Sequence, residues 1–287
     1  MSQQLNLGGR QVDLSTPVVM GVINVTPDSF SDGATLGTPE ADRFKVAVDR
    51  ALARAEAMVG AGARIIDVGG ESTRPGAAPV STEEELQRVM PVIEAVRSNL
   101  DTAISIDTSS PVVMREACRL GADMVNDVRA LQRDGALAAV LSSAAAACLM
   151  HSRGEPGTMQ QAIHYTDVVE EILAFLKDRV TQTISAGIPR EKLVIDPGFG
   201  FGKTVAHNFT LLRELHRFSE LELPILVGIS RKSMIGNVTG KPADQRLAGT
   251  LAATSWALTK GAKIIRTHDV VETMDIIKIH CAITGTR

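Results

Sequence analysis

Short runs of aliphatic and β-branched residues recur along the chain. Each gives way to a longer stretch whose apolar positions return every three or four residues. The short runs fall at 18–25, 63–69, 103–107, 124–128, 146–151, 193–196, 225–229 and 263–266. Their length and composition predict strands, and the patterns at 41–60, 82–99, 111–120 and 167–186 predict amphipathic helices. Glycine pairs at Gly62-Ala63, Gly121-Ala122, Gly187-Ile188 and Gly261-Ala262 suit the left-handed position that ends a helix. Strands alternating with helices imply parallel pairing and right-handed crossovers. Eight such units in 287 residues point to a single closed (β/α)8 TIM barrel, with an open doubly wound sheet as the alternative. No linker or low-complexity tract divides the chain, so residues 1–287 are expected to form one domain.

Composition narrows the class. Hydrophobic residues make up 44% of the chain but aromatics only 3%, so the core must be built from Val, Ile, Leu, Ala and Met. A formal charge of -3 with mixed signs gives no field for nucleic acid or an anionic membrane. Any bound anion must therefore meet a few local cations. Cys118, Cys148 and Cys281 are scattered, with no disulfide or metal spacing, which suits a reducing, cytoplasmic compartment. The first residues lack a basic segment followed by an apolar stretch, and apolar runs such as 144–150 stop short of a membrane span.

Candidate chemistry lies where the strands end. The endings carry Asn24; Asp67, followed by Thr73 and Arg74; Asp107; Asn126 and Asp127; His151; Asp196; Lys232 and Ser233; and Arg266 and His268. In a barrel these positions converge on the C-terminal mouth, where active sites of this fold lie. Polar groups at the tips of apolar strands lose water and need a partner or a ligand. Helix capping would explain an isolated Asp or Asn, but Lys232 and Arg266 are not N-cap types. Two long loops, TPDSFSDGATLG at 26–37 and GGESTRPGAAPV at 69–80, follow the first two strands and are expected to cover the site. A third, DPGFGFGKT at 196–204, offers Phe199 and Phe201 for stacking on a ligand. GFGFGKT lacks the four-residue gap of a phosphate-binding P-loop. His151, His207 and His268 lack the spacing of a zinc site.

The segments VMGVINVTPDSFSDG, GARIIDVGGESTRPGA, ISIDTS, VNDV, LMH, VIDPGFGFGKT, GISRKSMIG and IIRTHDV stand in this order along the chain. In this the chain resembles the dihydropteroate synthases, over about residues 18–275. The resemblance implies a barrel enzyme that joins (7,8-dihydropterin-6-yl)methyl diphosphate to 4-aminobenzoate, works with Mg²⁺ and forms a homodimer through barrel helices. It places Asp107, Asn126, Asp196 and Lys232 in a pterin pocket, and Arg266 and His268 at an anion site. Asn24 falls to the metal, and Thr73 and Arg74 to substrate contacts in the second loop. It further implies 4-aminobenzoate beside Phe201, Pro75 and the stem of Lys232, with its carboxylate at Ser233 near a helix N-terminus.

The residue types suit those roles. Ionised Asp107 and Asp196 accept hydrogen bonds only, whereas Asn126 also donates, so together they match the N–H donors and acceptors of a pterin edge. Arg266 offers a planar fork to phosphate oxygens. No nucleophile–base pair is visible, which suits loss of pyrophosphate before amine attack, with Asp107 and Asp196 stabilising the cation. Departures from the family pattern are few; Ala34 stands in the first loop where a second glycine is common. Two rivals share the barrel: a folate-to-corrinoid methyltransferase, which has no use for an anion site, and a pterin-binding paralogue without turnover.

Overall fold

The computed structural model describes residues 4–25, 40–71, 80–154 and 163–286, the side chains of 40–46 excepted. A hairpin of β1 (Gln4–Leu7) and β2 (Arg10–Asp13) precedes the barrel. The barrel strands are β3 (Val18–Asn24), β4 (Ile65–Gly69), β5 (Ala103–Asp107), β6 (Met124–Asp127), β7 (Ala146–Met150), β8 (Leu193–Asp196), β9 (Ile225–Val227) and β10 (Ala262–Thr267). They pair in parallel and in chain order, and β10 closes on β3. The predicted closed barrel is therefore present, and the open-sheet alternative falls. Around it run α1 (Glu40–Gly60), α2 (Thr82–Asn99), α3 (Pro111–Arg119), α4 (Ala136–Ser143), α5 (Val168–Ser185), α6 (Val205–Arg213), α7 (Ser233–Thr239), α8 (Leu247–Thr259) and α9 (Val270–Thr284).

Local chemistry sets the helix starts. Ser81 accepts the Glu84 N–H at 3.1 Å, and Asp167 accepts those of Val169 and Glu170 at 2.9 and 3.1 Å. Both satisfy donors that a first turn leaves open. Pro111 begins α3, where its missing N–H costs no hydrogen bond.

Strand alternation sorts the core in two. Side chains facing the helices, among them Val19, Ile66, Ile104, Val125, Leu149, Ile195 and Ile265, form the larger cluster. Their neighbours one residue along, among them Met20, Ile65, Ala103, Met124, Cys148, Val194, Leu226 and Ile264, fill the barrel. Leu5, Leu7, Val12 and Leu14 of the hairpin belong to this inner cluster, so the hairpin closes the barrel's N-terminal end. Each such side chain contributes about 1.5–3 kcal/mol on burial. The hairpin was not among the expected elements. Its signal was LNLGGRQVDL, alternating residues around a two-glycine turn with Gly8 and Gly9 at positive φ, as a tight hairpin needs.

Candidate active site

The same alternation continues upward from the inner cluster. Two residues beyond Ile65, Met124, Val194 and Ile264, and four beyond Ala103 and Met20, stand Asp67, Asn126, Asp196, Arg266, Asp107 and Asn24. Strand parity thus turns these polar groups into the barrel mouth while the apolar layer fills the space below. Asp127, one residue out of phase, faces the other way. It accepts from Ser109 and from the backbone N–H groups of Arg129 and Leu131, so it shapes the turn after β6.

Arg266 is the hub. Its Nε donates to Asp67 Oδ2 at 2.6 Å and its Nη2 to Asp107 Oδ2 at 2.7 Å, while Asn126 Nδ2 donates to Asp67 Oδ2 at 3.2 Å. One guanidinium serves two carboxylates buried away from water. Burial pushes the Asp107 carboxyl up to about 7 against the pull of Arg266. Burial also works against the charge of Arg266, but Asp67 and Asp107 outweigh it and hold the guanidinium above its ordinary value. Asp67 Oδ1 and Asn126 Oδ1 are buried with no hydrogen-bond partner among the described residues. A buried oxygen of this kind costs about 1–3 kcal/mol unless a donor reaches it. The mouth is therefore built to receive N–H groups.

Asp196 and Lys232 complete the opposite side. Asp196 Oδ1 accepts the Gly198 N–H at 2.7 Å, and burial raises its carboxyl in spite of Lys232. Lys232 donates to the Phe199 carbonyl, with its ammonium 4.6 Å from the centre of the Phe201 ring. Burial lowers Lys232 to about 8, partly offset by Asp196. The loop between β8 and α6 depends on glycine. Gly198 has φ +73°, and a Cβ there would sit 1.8 Å from the His151 carbonyl oxygen, so only glycine fits.

The structure sorts the remaining expectations. Phe199 is fully buried in the outer core and offers nothing to a ligand, contrary to the stacking role expected of it; only half-buried Phe201 keeps that possibility. The reason is its packing among helix-facing side chains. Asn24 ends β3 half-buried, and Ser233 is the exposed first residue of α7. His268 follows β10. Its backbone N–H donates to Ser230 Oγ at 3.3 Å, and the same oxygen lies 3.0 Å from its Nδ1. Burial, with Arg266 beside it, lowers the His268 imidazole to about 4, so near neutral pH it acts as an uncharged ring. Thr73, Arg74, Pro75, Ala34 and the 26–37 loop lie outside the described residues. Asp67 was noted as a strand ending but not chosen for the site; its phase within IIDVG was the available signal. Lys203 and Ser230 were not singled out. Among the described residues no group of three His, Cys, Asp or Glu side chains could hold a metal ion, and no helix is long and apolar enough to cross a membrane.

This geometry agrees with what the chain is similar to. Residues 20–268 match the family described as pterin binding enzyme. The dihydropteroate synthase of Haemophilus influenzae is 49% identical over 276 residues, 96% of this chain and 97% of that relative. A Xanthomonas albilineans dihydropteroate synthase solved with 4-aminobenzoic acid superposes with a TM-score of 0.90 at 44% identity, covering both chains fully. The same enzyme solved in complex with 7,8-dihydropteroate gives a TM-score of 0.84 at 40% identity, again over both full chains. With its ring of acids, amide and guanidinium at the mouth of a closed parallel barrel, the chain belongs to the pterin binding enzymes and, among them, to the dihydropteroate synthases.

Proposed function

We propose that the chain condenses (7,8-dihydropterin-6-yl)methyl diphosphate with 4-aminobenzoate, giving 7,8-dihydropteroate and pyrophosphate. The observation that carries this reading is the inward ring of Asp67, Asp107, Asn126, Asp196 and Arg266, in which two buried oxygens await donors. A flat heterocycle with several N–H groups on one edge answers that need.

In this reading Asp107, Asn126 and Asp196 hold the pterin, and Lys232 donates to its ring. The C–O bond at the pterin methylene breaks first, and the electron pair leaves with pyrophosphate. The cation left behind spreads into the ring and faces the carboxylates of Asp107 and Asp196, which stabilise it electrostatically. The nitrogen lone pair of 4-aminobenzoate then forms the C–N bond, and the ammonium proton so produced passes to solvent. Phe201 flanks its ring, and the first turn of α7 at Ser233 receives its carboxylate. Arg266 and His268 meet the diphosphate, the first as a cation and the second as a neutral N–H donor.

Mg²⁺ fits the donor set in a limited sense. Asn24 supplies one oxygen at the mouth, and a hard cation of this kind completes its shell with waters and phosphate oxygens. Once bound it would neutralise charge on the leaving diphosphate. Thr73 and Arg74 would reach the same substrate from the second loop. A homodimer suits the exposed apolar side chains Trp256 on α8 and Val271, Ile279 and Ile283 on α9. A cytoplasmic protein of one domain, with small-molecule substrates and neither nucleic acid nor membrane as partner, suits the small net charge.

The test is pyrophosphate release by the purified protein. Release that needs both substrates and Mg²⁺ is expected. Pterin binding without any release would sink the assignment.

A further inference from the structure

Among the described residues near the site, Lys203 is the most thoroughly buried basic side chain, and nothing in the proposed reaction uses it. Its residue is 3% exposed, and its Nζ lies 2.8 Å from the Gly198 carbonyl oxygen, 3.0 Å from that of Phe201 and 3.0 Å from His151 Nδ1. The His151 carbonyl is a fourth neighbour at 3.3 Å. Burial pushes Lys203 well below its ordinary value, with Asp196 pulling the other way; three close acceptors surround the nitrogen and match the three protons of its charged form. Burial, with Lys203 and Arg153 beside it, drives the His151 imidazole down to about 2, so the ring is neutral, and its Nδ1 accepts from Lys203 in the tautomer that carries its proton on Nε2.

The two carbonyls bracket Phe199 and Gly200. Lys232 meets the same segment, donating to the Phe199 carbonyl and lying over the Phe201 ring. One loop is thus tied to two lysines, Lys203 through the Gly198 and Phe201 carbonyls and Lys232 through that of Phe199. Asn208 of α6 steadies it from the side, accepting the Gly200 N–H at 2.7 Å and donating to the Thr204 carbonyl at 2.8 Å. A buried ammonium costs stability unless its protons are all used, so its retention at this point calls for a reason beyond packing.

We propose that Lys203 is a positioning residue: by binding the Gly198 and Phe201 carbonyls it sets the Phe201 ring and the Phe199 carbonyl, and through them the ammonium of Lys232. The inference rests on the reading of Phe201 and Lys232 as the wall that meets 4-aminobenzoate. Its failure is distinguishable from failure of that reading, because Phe201→Ala tests the wall alone: an unchanged KM for 4-aminobenzoate in that variant removes the wall itself. Lys203 touches neither substrate and acts only through the loop.

Lys203→Met keeps the stem and removes the three donors. The expected result is a rise in KM for 4-aminobenzoate of about tenfold or more, since displacements near 1 Å at a reacting pair cost up to a hundredfold. Pterin diphosphate, held by Asp107, Asn126, Arg266 and His268 independently of this loop, should lose only the smaller share that Lys232 and Asp196 carry. A purely structural role predicts a lower Tm with both KM values unchanged. Equal changes for the two substrates, or an unaltered KM for 4-aminobenzoate in folded protein, overturns the proposal. Should the variant not fold, hydrogen exchange in the wild-type protein decides. The Phe201 amide, bonded to the Gly198 carbonyl at 3.2 Å, must then exchange as slowly as the amides of the core strands. Rapid exchange there overturns the proposal too.

Discussion

Replacing Arg266 by glutamine removes the cation that two buried carboxylates share. Asp67 is fully buried and Asp107 nearly so, with Arg266 contacts of 2.6 and 2.7 Å. Breaking a buried pair by deleting one partner costs about 3–5 kcal/mol, because a charge is left without compensation. In a chain of this length that lowers Tm by roughly 6–10 °C, at about 2 °C per kcal/mol. The cost must also depend on pH. The folded-state value of Asp107 stands near 7 with Arg266 present and must rise once its pull is gone. Between pH 7 and 9 the variant's native state therefore keeps a proton that its unfolded state and the folded wild type have released. Its stability deficit then grows by up to about 1.4 kcal/mol per pH unit. Below pH 7 the wild-type carboxyl is protonated as well, and the Asp107 contribution to the difference levels off. Lys232, which Arg266 also holds down, rises in the variant and adds to the deficit in the same direction above about pH 8. Thermal or urea unfolding of the two proteins across pH 6–9 measures the deficit, and adding Asp107→Asn to the variant should flatten the slope. A deficit that stays constant over that range, or shrinks toward pH 9, refutes the reasoning.

Asp196→Asn should weaken pterin binding by on the order of tenfold in calorimetry, the loss of one charge-assisted hydrogen bond; unchanged affinity would remove Asp196 from the pocket. The pH profile of kcat/KM should be narrow, with an acid limb near 7 as Asp107 ionises and an alkaline limb near 8 as Lys232 loses its proton; a flat profile from pH 6 to 9 would contradict both assignments. Gly202→Ala should cost about 1–3 kcal/mol by urea unfolding, since a Cβ there meets the Arg153 carbonyl oxygen at 2.3 Å with φ at +63°. If α9 carries the proposed homodimer, Ile279→Glu should lower the sedimenting mass from dimer to monomer at micromolar concentration; an unchanged mass would count against that interface.

Much of the barrel was legible because two signals coincided. The runs from Ile65 to Gly69 and from Leu193 to Asp196 are apolar throughout until one acid interrupts them, and that interruption marks the mouth. What escaped notice depended on phase. Asp67 and Asp127 look alike as strand-end acids, yet one faces the interior and the other a turn, a distinction that only the inner and outer sets of neighbouring side chains supply. Phe199 and Phe201 pose the same problem: two residues apart in a glycine loop, one enters the core and one faces the mouth, and the choice is made by glycines at positive φ. The N-terminal hairpin was missed because each strand has four residues, too few for periodicity to stand out. Lys203 was hidden by its resemblance to the lysine of a phosphate loop; discarding that motif discarded the residue as well.

The hairpin beneath the barrel has a consequence at the far end of the molecule. Leu5, Leu7, Val12 and Leu14 close the space under the polar ring, so the column below Arg266 and its acids is lined mostly by apolar side chains and weakly polarisable. Without that plug, solvent entering from underneath would screen the ring, weaken its ion pairs and draw Asp107 back toward an ordinary carboxylic acid. Trimming a dozen residues that touch no substrate would then retune the chemistry by changing what the charges stand on.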